Sequence, residues 1–552
     1  MPGHRLLTRM LAYHPRGTAF AAGRRMFIRK RPSPSVRGSD FFLYYAFSGC
    51  RSYYSSPARA RSSSNDEVAY SNRYCHVDRR QDHYDELKRM LPHVEFTSNV
   101  YERERHGRGE SYHPTKMPDL VAMNPSTVDD VRTIIRHCVR HRVPVVPFGA
   151  GTSVEGHVNA LHGGICLDMA AFSSIEVPDV AGESIPDPVA VVGAGVTRKT
   201  LNEALRHTGF QFVVDPGADA TLGGMVATCA SGTSTIKHGT TRENILELEC
   251  VLADEDATIV KCGTRALKNS AGYDLLSLFC GSEGTLGVIT SITVKLHPIP
   301  DHVLAATCQF DSLHDAAAAV AALKLTEVPL SRCELLDTTS VEAFNAFNKQ
   351  DNGKNSIVPK PTLFLEFQGH SEASLQEVVS TTEAVCVDDY GGSGFAFASD
   401  EKERQSLWSA RHSLYYASVA YRPGSSGAIV ADACVPLSKF ADLIDETSKD
   451  VRKHDVVGPC FGHAGDGNLH VILPLKEGDS DEYLERVHAV YDNLIDRTLS
   501  FGGTCTGEHG IGYGKIPYLE RQYGSGAVGV MKAIKQSLDP FNIMNPGKVV
   551  EV

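Results

Sequence analysis

The 552-residue chain has a single tryptophan, Trp408, and its 14 cysteines include no C-x-x-C pair. The scattered thiols exclude a zinc ribbon, an iron–sulfur cluster and a secreted disulfide scaffold. There is no apolar run of about 18 residues, so no membrane span is expected; the stretch Phe41–Phe47 is far too short. No G-x-x-x-x-G-K-[ST] occurs, against a P-loop nucleotidase. No G-x-G-x-x-G opens a helix after the first strand, against a standard Rossmann site. The end Val550-Glu551-Val552 is not a peroxisomal address. No internal repeat is visible.

Acidic residues are nearly absent from the N-terminus. Residues 1–65 hold 12 Lys/Arg and one acid, Asp40, a balance of +11; the whole chain is −11, so residues 66–552 carry −22. A body that acidic is a poor nucleic-acid binder. The Arg-rich, Ser-rich, acid-poor segment 1–65 reads as a mitochondrial targeting and linker segment, the alternative being a basic tail without function.

Beyond it, a length of 552 residues allows two to four structural units. Ordered sequence is expected from about Tyr84. Thr127 caps an amphipathic helix carrying Val131, Ile134, Ile135, Cys138 and Val139. Strands are expected at Val143–Pro147, Val189–Val192, Glu247–Leu252 and Gly287–Leu296. The texture changes near Pro298–Pro300. Helices such as Leu313–Leu323 then alternate with strands such as Thr362–Gln368. The expected units are 84–300, 301–500, and a glycine-rich segment 501–552 returning to the first.

Four glycine-rich segments fall in the first unit. Pro147-Phe148-Gly149-Ala150-Gly151-Thr152-Ser153 follows a strand, and its backbone can curl into a phosphate nest. The others are Asp215-Pro216-Gly217, Thr221-Leu222-Gly223-Gly224-Met225 and Gly281–Gly287. Each alone is a weak signal, since a lone glycine loop is usually a turn.

Pro147–Ser153, Thr221–Gly232 and Gly281–Thr290 together resemble the FAD-binding domain of the vanillyl-alcohol oxidase/p-cresol methylhydroxylase superfamily. The resemblance implies an α+β fold: a two-lobed FAD-binding domain plus an α+β substrate or cap domain with an antiparallel sheet. It implies that the backbone around Gly149, Ala150, Gly151, Thr152 and Ser153 holds the pyrophosphate, with Pro147 as another cofactor contact. Gly223, Gly224, Ser231 and Gly232 would line the flavin and Ile289 the adenosine end, with Gly156, Pro216, Gly217, Thr221 and Gly284 as further contacts. Some members attach FAD to a histidine; none lies within Gly149–Ser153, so non-covalent FAD is expected.

The segment His463-Ala464-Gly465-Asp466-Gly467-Asn468-Leu469-His470 reads as a hairpin with a two-residue type I′ turn at Asp466-Gly467. That turn would set His463 directly opposite His470, close enough to chelate one divalent metal. A hydrogen-bonded polar pair is the alternative. Gly507-Glu508-His509-Gly510-Ile511-Gly512 offers a third ligand and a base.

These two segments, following the FAD segments, resemble the C-terminal domain shared by D-lactate and D-2-hydroxyglutarate dehydrogenases. That implies His463, His470 and Glu508 as ligands of zinc or manganese, and His509 as general base. Arg411 matches the family's substrate-carboxylate arginine; a surface ion pair is the other reading. The D-2-hydroxyglutarate enzymes hold a second carboxylate with a lysine where this chain has Val430 and an asparagine where it has Ile472. An apolar lining suits a methyl group, so D-lactate is the expected substrate. Cytochrome c, a quinone or an electron-transfer flavoprotein are the candidate acceptors. Other classes stay open: an alkyl-glycerone-phosphate synthase, a non-catalytic flavin-binding subunit, or a flavin-free metal hydrolase.

Overall fold

The computed structural model describes residues 74–552 except 76, 181–185, 349–355 and 399. The expected targeting segment 1–65 lies outside the described residues. Ordered structure starts earlier than expected, with helix Val77–Met90.

Three larger sheets and one two-stranded pair organise the described residues. In the first, Leu120–Ala122, Ile165–Asp168 and Val145–Phe148 run parallel, and Phe96–Thr97 pairs antiparallel at the edge. The parallel strands are almost continuously apolar, as strands covered on both faces must be. Helix Val128–His141 packs on them through Val131, Ile134, Ile135 and Cys138. Its start is the expected one: Thr127 accepts from the Asp130 N–H and Asp130 accepts from the Thr127 N–H. The end of the chain returns to this sheet. Val145 donates to the Ile543 carbonyl and Asn545 donates to that of Val145, both at 2.8 Å.

The second sheet is antiparallel, in the order 175–176, 189–193, 288–295, 245–251, 259–263. The third is a seven-stranded antiparallel sheet built from residues 302–475. Helices Leu313–Leu325, Phe440–Lys453 and Asp481–Ser500 cover one of its faces, with Phe440, Leu443, Val490 and Leu494 in the core. A smaller apolar cluster holds Trp408, Val430, Phe461 and Ile472. Among the described residues no helix is long and apolar enough to cross a membrane.

The histidine hairpin departs from the expected geometry. Strand Cys460–Gly462 pairs with Asn468–Leu475 so that Phe461, not His463, lies opposite His470. The connection is a 3₁₀ turn over Ala464–Asp466, closed by Gly467 at φ 74°. A type I′ turn needs positive φ at both central residues. Only Gly467 takes it here. Asp466 stays right-handed, with its N–H given to the His463 carbonyl at 3.0 Å. The longer loop moves the register by two residues, yet the two imidazoles still meet, their ring centroids 5.3 Å apart.

Candidate active site

One cleft of about 340 Å³ brings the glycine loops and the histidines together. That volume falls within the roughly 300–1,000 Å³ of a small-ligand or cofactor pocket. One wall is Pro147–Ser153, Pro216, Gly217, Thr221, Gly223, Gly224, Ser231, Gly284 and Ile289. The other carries Arg411, His463, His470, Glu508 and His509. Two residues expected at the cofactor stand behind the wall. A side chain at Gly156 would strike Tyr513, and one at Gly232 would strike Asp215. They shape the loops without lining the cleft.

The loops interlock locally. Thr221 caps the short helix Leu222–Thr228 by accepting from the Gly224 N–H. Gly149 lies so close to the Thr221 hydroxyl that a Cβ there would collide with it. His157, outside the loop, also lines the cleft. Its Nδ1 meets the Ser153 hydroxyl and its Nε2 faces Glu283 at 2.7 Å. Glu283 also accepts from the N–H groups of Ile511 and Gly512, both at 2.7 Å, which ties the segment after His509 to the cofactor wall.

On the opposite wall three imidazoles converge on one carboxylate oxygen. Glu508 Oε1 is 3.1 Å from His470 Nε2, 3.4 Å from His463 Nε2 and 3.6 Å from His509 Nε2. Its other oxygen accepts from the Ser231 hydroxyl at 2.6 Å. Burial works against ionisation of Glu508, but the facing imidazoles outweigh it and hold the carboxyl well below its usual range. Donor atoms of His463, His470 and Glu508 lie within 4.8 Å of one another, and those of Asp432, His470 and His509 form an overlapping set. Two imidazole nitrogens and a carboxylate oxygen, with a cleft beside them, fit a divalent metal with an open position.

Two buried carboxylates that sequence reasoning left without a role hold this arrangement. Glu334, in strand Leu330–Leu336, accepts from Arg411 Nε and lies against His463 Nδ1, each at 2.6 Å. It fixes the substrate-type cation and a metal-type ligand with one group, and with Glu508 raises the His463 pKa well above its usual value against the effect of burial. Asp432 Oδ2 accepts from the Thr506 hydroxyl and from the N–H groups of Gly507, Glu508 and His509, at 2.8 to 3.0 Å. That one oxygen sets the path of the loop presenting Glu508 and His509. For Asp432 the sequence signal is a carboxylate inside the apolar strand Gly427–Cys434; Glu334 shares its strand with Ser331 and Arg332 and carries no such signal. Arg411 is buried rather than on the surface and stacks over Phe461, its guanidinium carbon 4.8 Å from the ring centroid. Val430 and Ile472 are direct cross-strand partners, and both line the cleft.

Two family models match the chain. Residues 118–263 match the model of an FAD binding domain, and residues 299–549 that of the FAD linked oxidases, C-terminal domain. A "Probable D-lactate dehydrogenase, mitochondrial" of Danio rerio is 46% identical over 82% of this chain and 88% of its own length. The chain belongs to the FAD-linked oxidase family. It is an FAD-dependent oxidoreductase, and like the relatives so named it is mitochondrial. Among these family members, the "D-lactate dehydrogenase [cytochrome], mitochondrial" of Arabidopsis thaliana is 39% identical over 82% of this chain and 77% of its own length. The family fold extends to p-cresol methylhydroxylase, whose substrate-bound structure superposes with a TM-score of 0.69 over 86% of this chain and 98% of that one, at 15% identity.

Proposed function

We propose that the protein oxidises D-lactate to pyruvate and delivers the electrons to a respiratory acceptor such as cytochrome c. The observation that carries the substrate choice is the Val430–Ile472 pair. These residues face each other across two strands and line the cleft that also holds Arg411. A methyl group suits that lining, whereas a second carboxylate would be desolvated without a partner. The relatives named D-lactate dehydrogenase support the same reading.

The residues divide the work as follows. Arg411, anchored through Nε by Glu334, grips the substrate carboxylate with its remaining nitrogens. His509 takes the C2 hydroxyl proton as general base. Its ring stacks on that of His470 with centroids 5.0 Å apart, and Asp432 Oδ2 faces its Nδ1 at 3.9 Å. His463, His470 and Glu508 hold a divalent metal, zinc or manganese; when bound, it supplies a Lewis acid that stabilises the developing negative charge on the substrate oxygen. FAD, when bound, supplies the acceptor for the C2 hydride. We assign its site to the unit 84–300, substrate capture to 301–500, and closure of the cleft to 501–552. FAD is held without a covalent bond: the nearby His157 has one ring nitrogen against Ser153 and the other against Glu283. The N-terminal 65 residues act as the targeting segment.

Dye-coupled turnover with D-lactate, L-lactate and D-2-hydroxyglutarate tests this assignment. The highest kcat/KM is expected with D-lactate. Preference for D-2-hydroxyglutarate would contradict the reading of Val430 and Ile472.

A further inference from the structure

Two helices away from the flavin cleft carry another set of metal-type donors. His83 and Glu86 are three residues apart on helix Val77–Met90, and His137 and His141 are four apart on helix Val128–His141. Both spacings place the two side chains on one helical face. The helices share a core in which Tyr84 and Leu87 pack with Ile134, Ile135 and Cys138, so the two donor faces close on each other. One donor atom from each of the four residues lies within 4.8 Å of all the others. The rings of His83 and His141 stack at 3.9 Å between centroids, and those of His137 and His141 are 4.5 Å apart. Nε2 of His137 and Nε2 of His141 are buried without a hydrogen-bond partner among the described residues. Glu86 Oε2 stands 3.9 Å from the latter. Buried polar atoms are normally satisfied, and two on adjacent turns that are not point to a ligand.

We propose that His83, Glu86, His137 and His141 form a binding site for a divalent transition-metal ion of the zinc type, distinct from the donor set at the flavin cleft. None of the four residues lines that cleft. Three imidazoles and one carboxylate suit zinc, nickel or copper, whereas magnesium and calcium prefer oxygen ligands. Zinc–nitrogen bonds of about 2.0–2.1 Å require the donors to draw in from their present spacing, which small rotations of side chains at this rim can supply. The ion acts as a clip. It ties helix Val77–Met90 to the helix whose C-terminus leads into strand Val145–Phe148 and so into the glycine loop at Gly149–Ser153.

The test uses the FAD-loaded protein, stripped with a chelator and titrated calorimetrically with zinc chloride alone. Wild type is expected to bind one zinc equivalent more than the double variant His137→Ala/His141→Ala, while bleaching of the flavin by D-lactate is the same in both. His463→Ala/His470→Ala should keep the equivalent that the first double variant loses. Equal zinc stoichiometry and affinity in wild type and His137→Ala/His141→Ala would overturn the proposal. If that double variant does not fold, His83→Ala replaces it. Losing even an outer partner of a metal site costs roughly 10–100-fold in affinity, so His83→Ala should weaken this site at least about tenfold. An unchanged affinity there overturns the proposal equally.

Discussion

Glu508 gathers three imidazole nitrogens within 3.6 Å of one oxygen, and Asp432 fixes the backbone on which it stands. At this scale His509 and Arg411 carry separable expectations. His509→Gln should slow flavin reduction by about 10²–10⁴-fold, the usual contribution of a general base, while FAD stays bound. Anaerobic stopped-flow absorbance measures it, and reduction near the wild-type rate would remove His509 from the chemistry. Arg411→Lys keeps the charge but loses the planar fork. It should raise KM for D-lactate by roughly 10- to 100-fold, in proportion to the ~1.5–3 kcal/mol of hydrogen bonds to charged groups. Val430→Lys adds a cation opposite Ile472 in the cleft. The ratio of kcat/KM for D-2-hydroxyglutarate over D-lactate should then rise by about tenfold or more, one well-placed ionic hydrogen bond being worth ~1.5–3 kcal/mol. An unchanged ratio would show that this position does not face the substrate's C3 group.

At the scale of elements, the buried carboxyl of Asp337 shows how a helix end is tuned. Asp337 stands just before helix Thr338–Asn348, and its Oδ1 accepts from the N–H and hydroxyl of Ser340, both at 2.7 Å, and from the Cys460 N–H at 3.2 Å. Burial outweighs these donors and pushes its pKa up to about 6. The unfolded carboxyl titrates near roughly 3.9. Between those values the folded state binds the extra proton, so this group's contribution to stability falls as pH rises from about 4 to 6 and stays low above that. Asp337→Asn keeps an acceptor without the charge. Its stability relative to wild type should therefore rise by about 2–3 kcal/mol across that window, as denaturant melts at several pH values would read. A pH-independent difference would contradict the burial argument. The elements themselves were largely legible where their signals are local. The Thr127/Asp130 cap and the strand at Val189–Gly193 are set by neighbours in sequence. The His463–His470 turn was misread because a dipeptide preference cannot register that the loop prefers internal hydrogen bonds with one positive-φ glycine. Glu334 escaped notice for a related reason: its partners Arg411 and His463 are 77 and 129 residues away, and only folding shows that they meet at one carboxylate.

Across the whole molecule, the glycine loops of the first two sheets and the histidines of the third meet in one cleft, joined by the Ser231–Glu508 contact. The chain's return explains part of that closure. Asn545 donates to the carbonyls of His157 and Glu283, and Glu283 holds Ile511 and Gly512. The sequence pointed to both halves through their motifs, but not to these long-range ties, which join residues up to 388 positions apart. The most direct test of the central claim is the anaerobic absorbance spectrum of the purified yellow protein. D-lactate should bleach its flavin bands rapidly, while L-lactate and D-2-hydroxyglutarate leave them nearly unchanged. A flavin that D-lactate does not reduce would contradict the account.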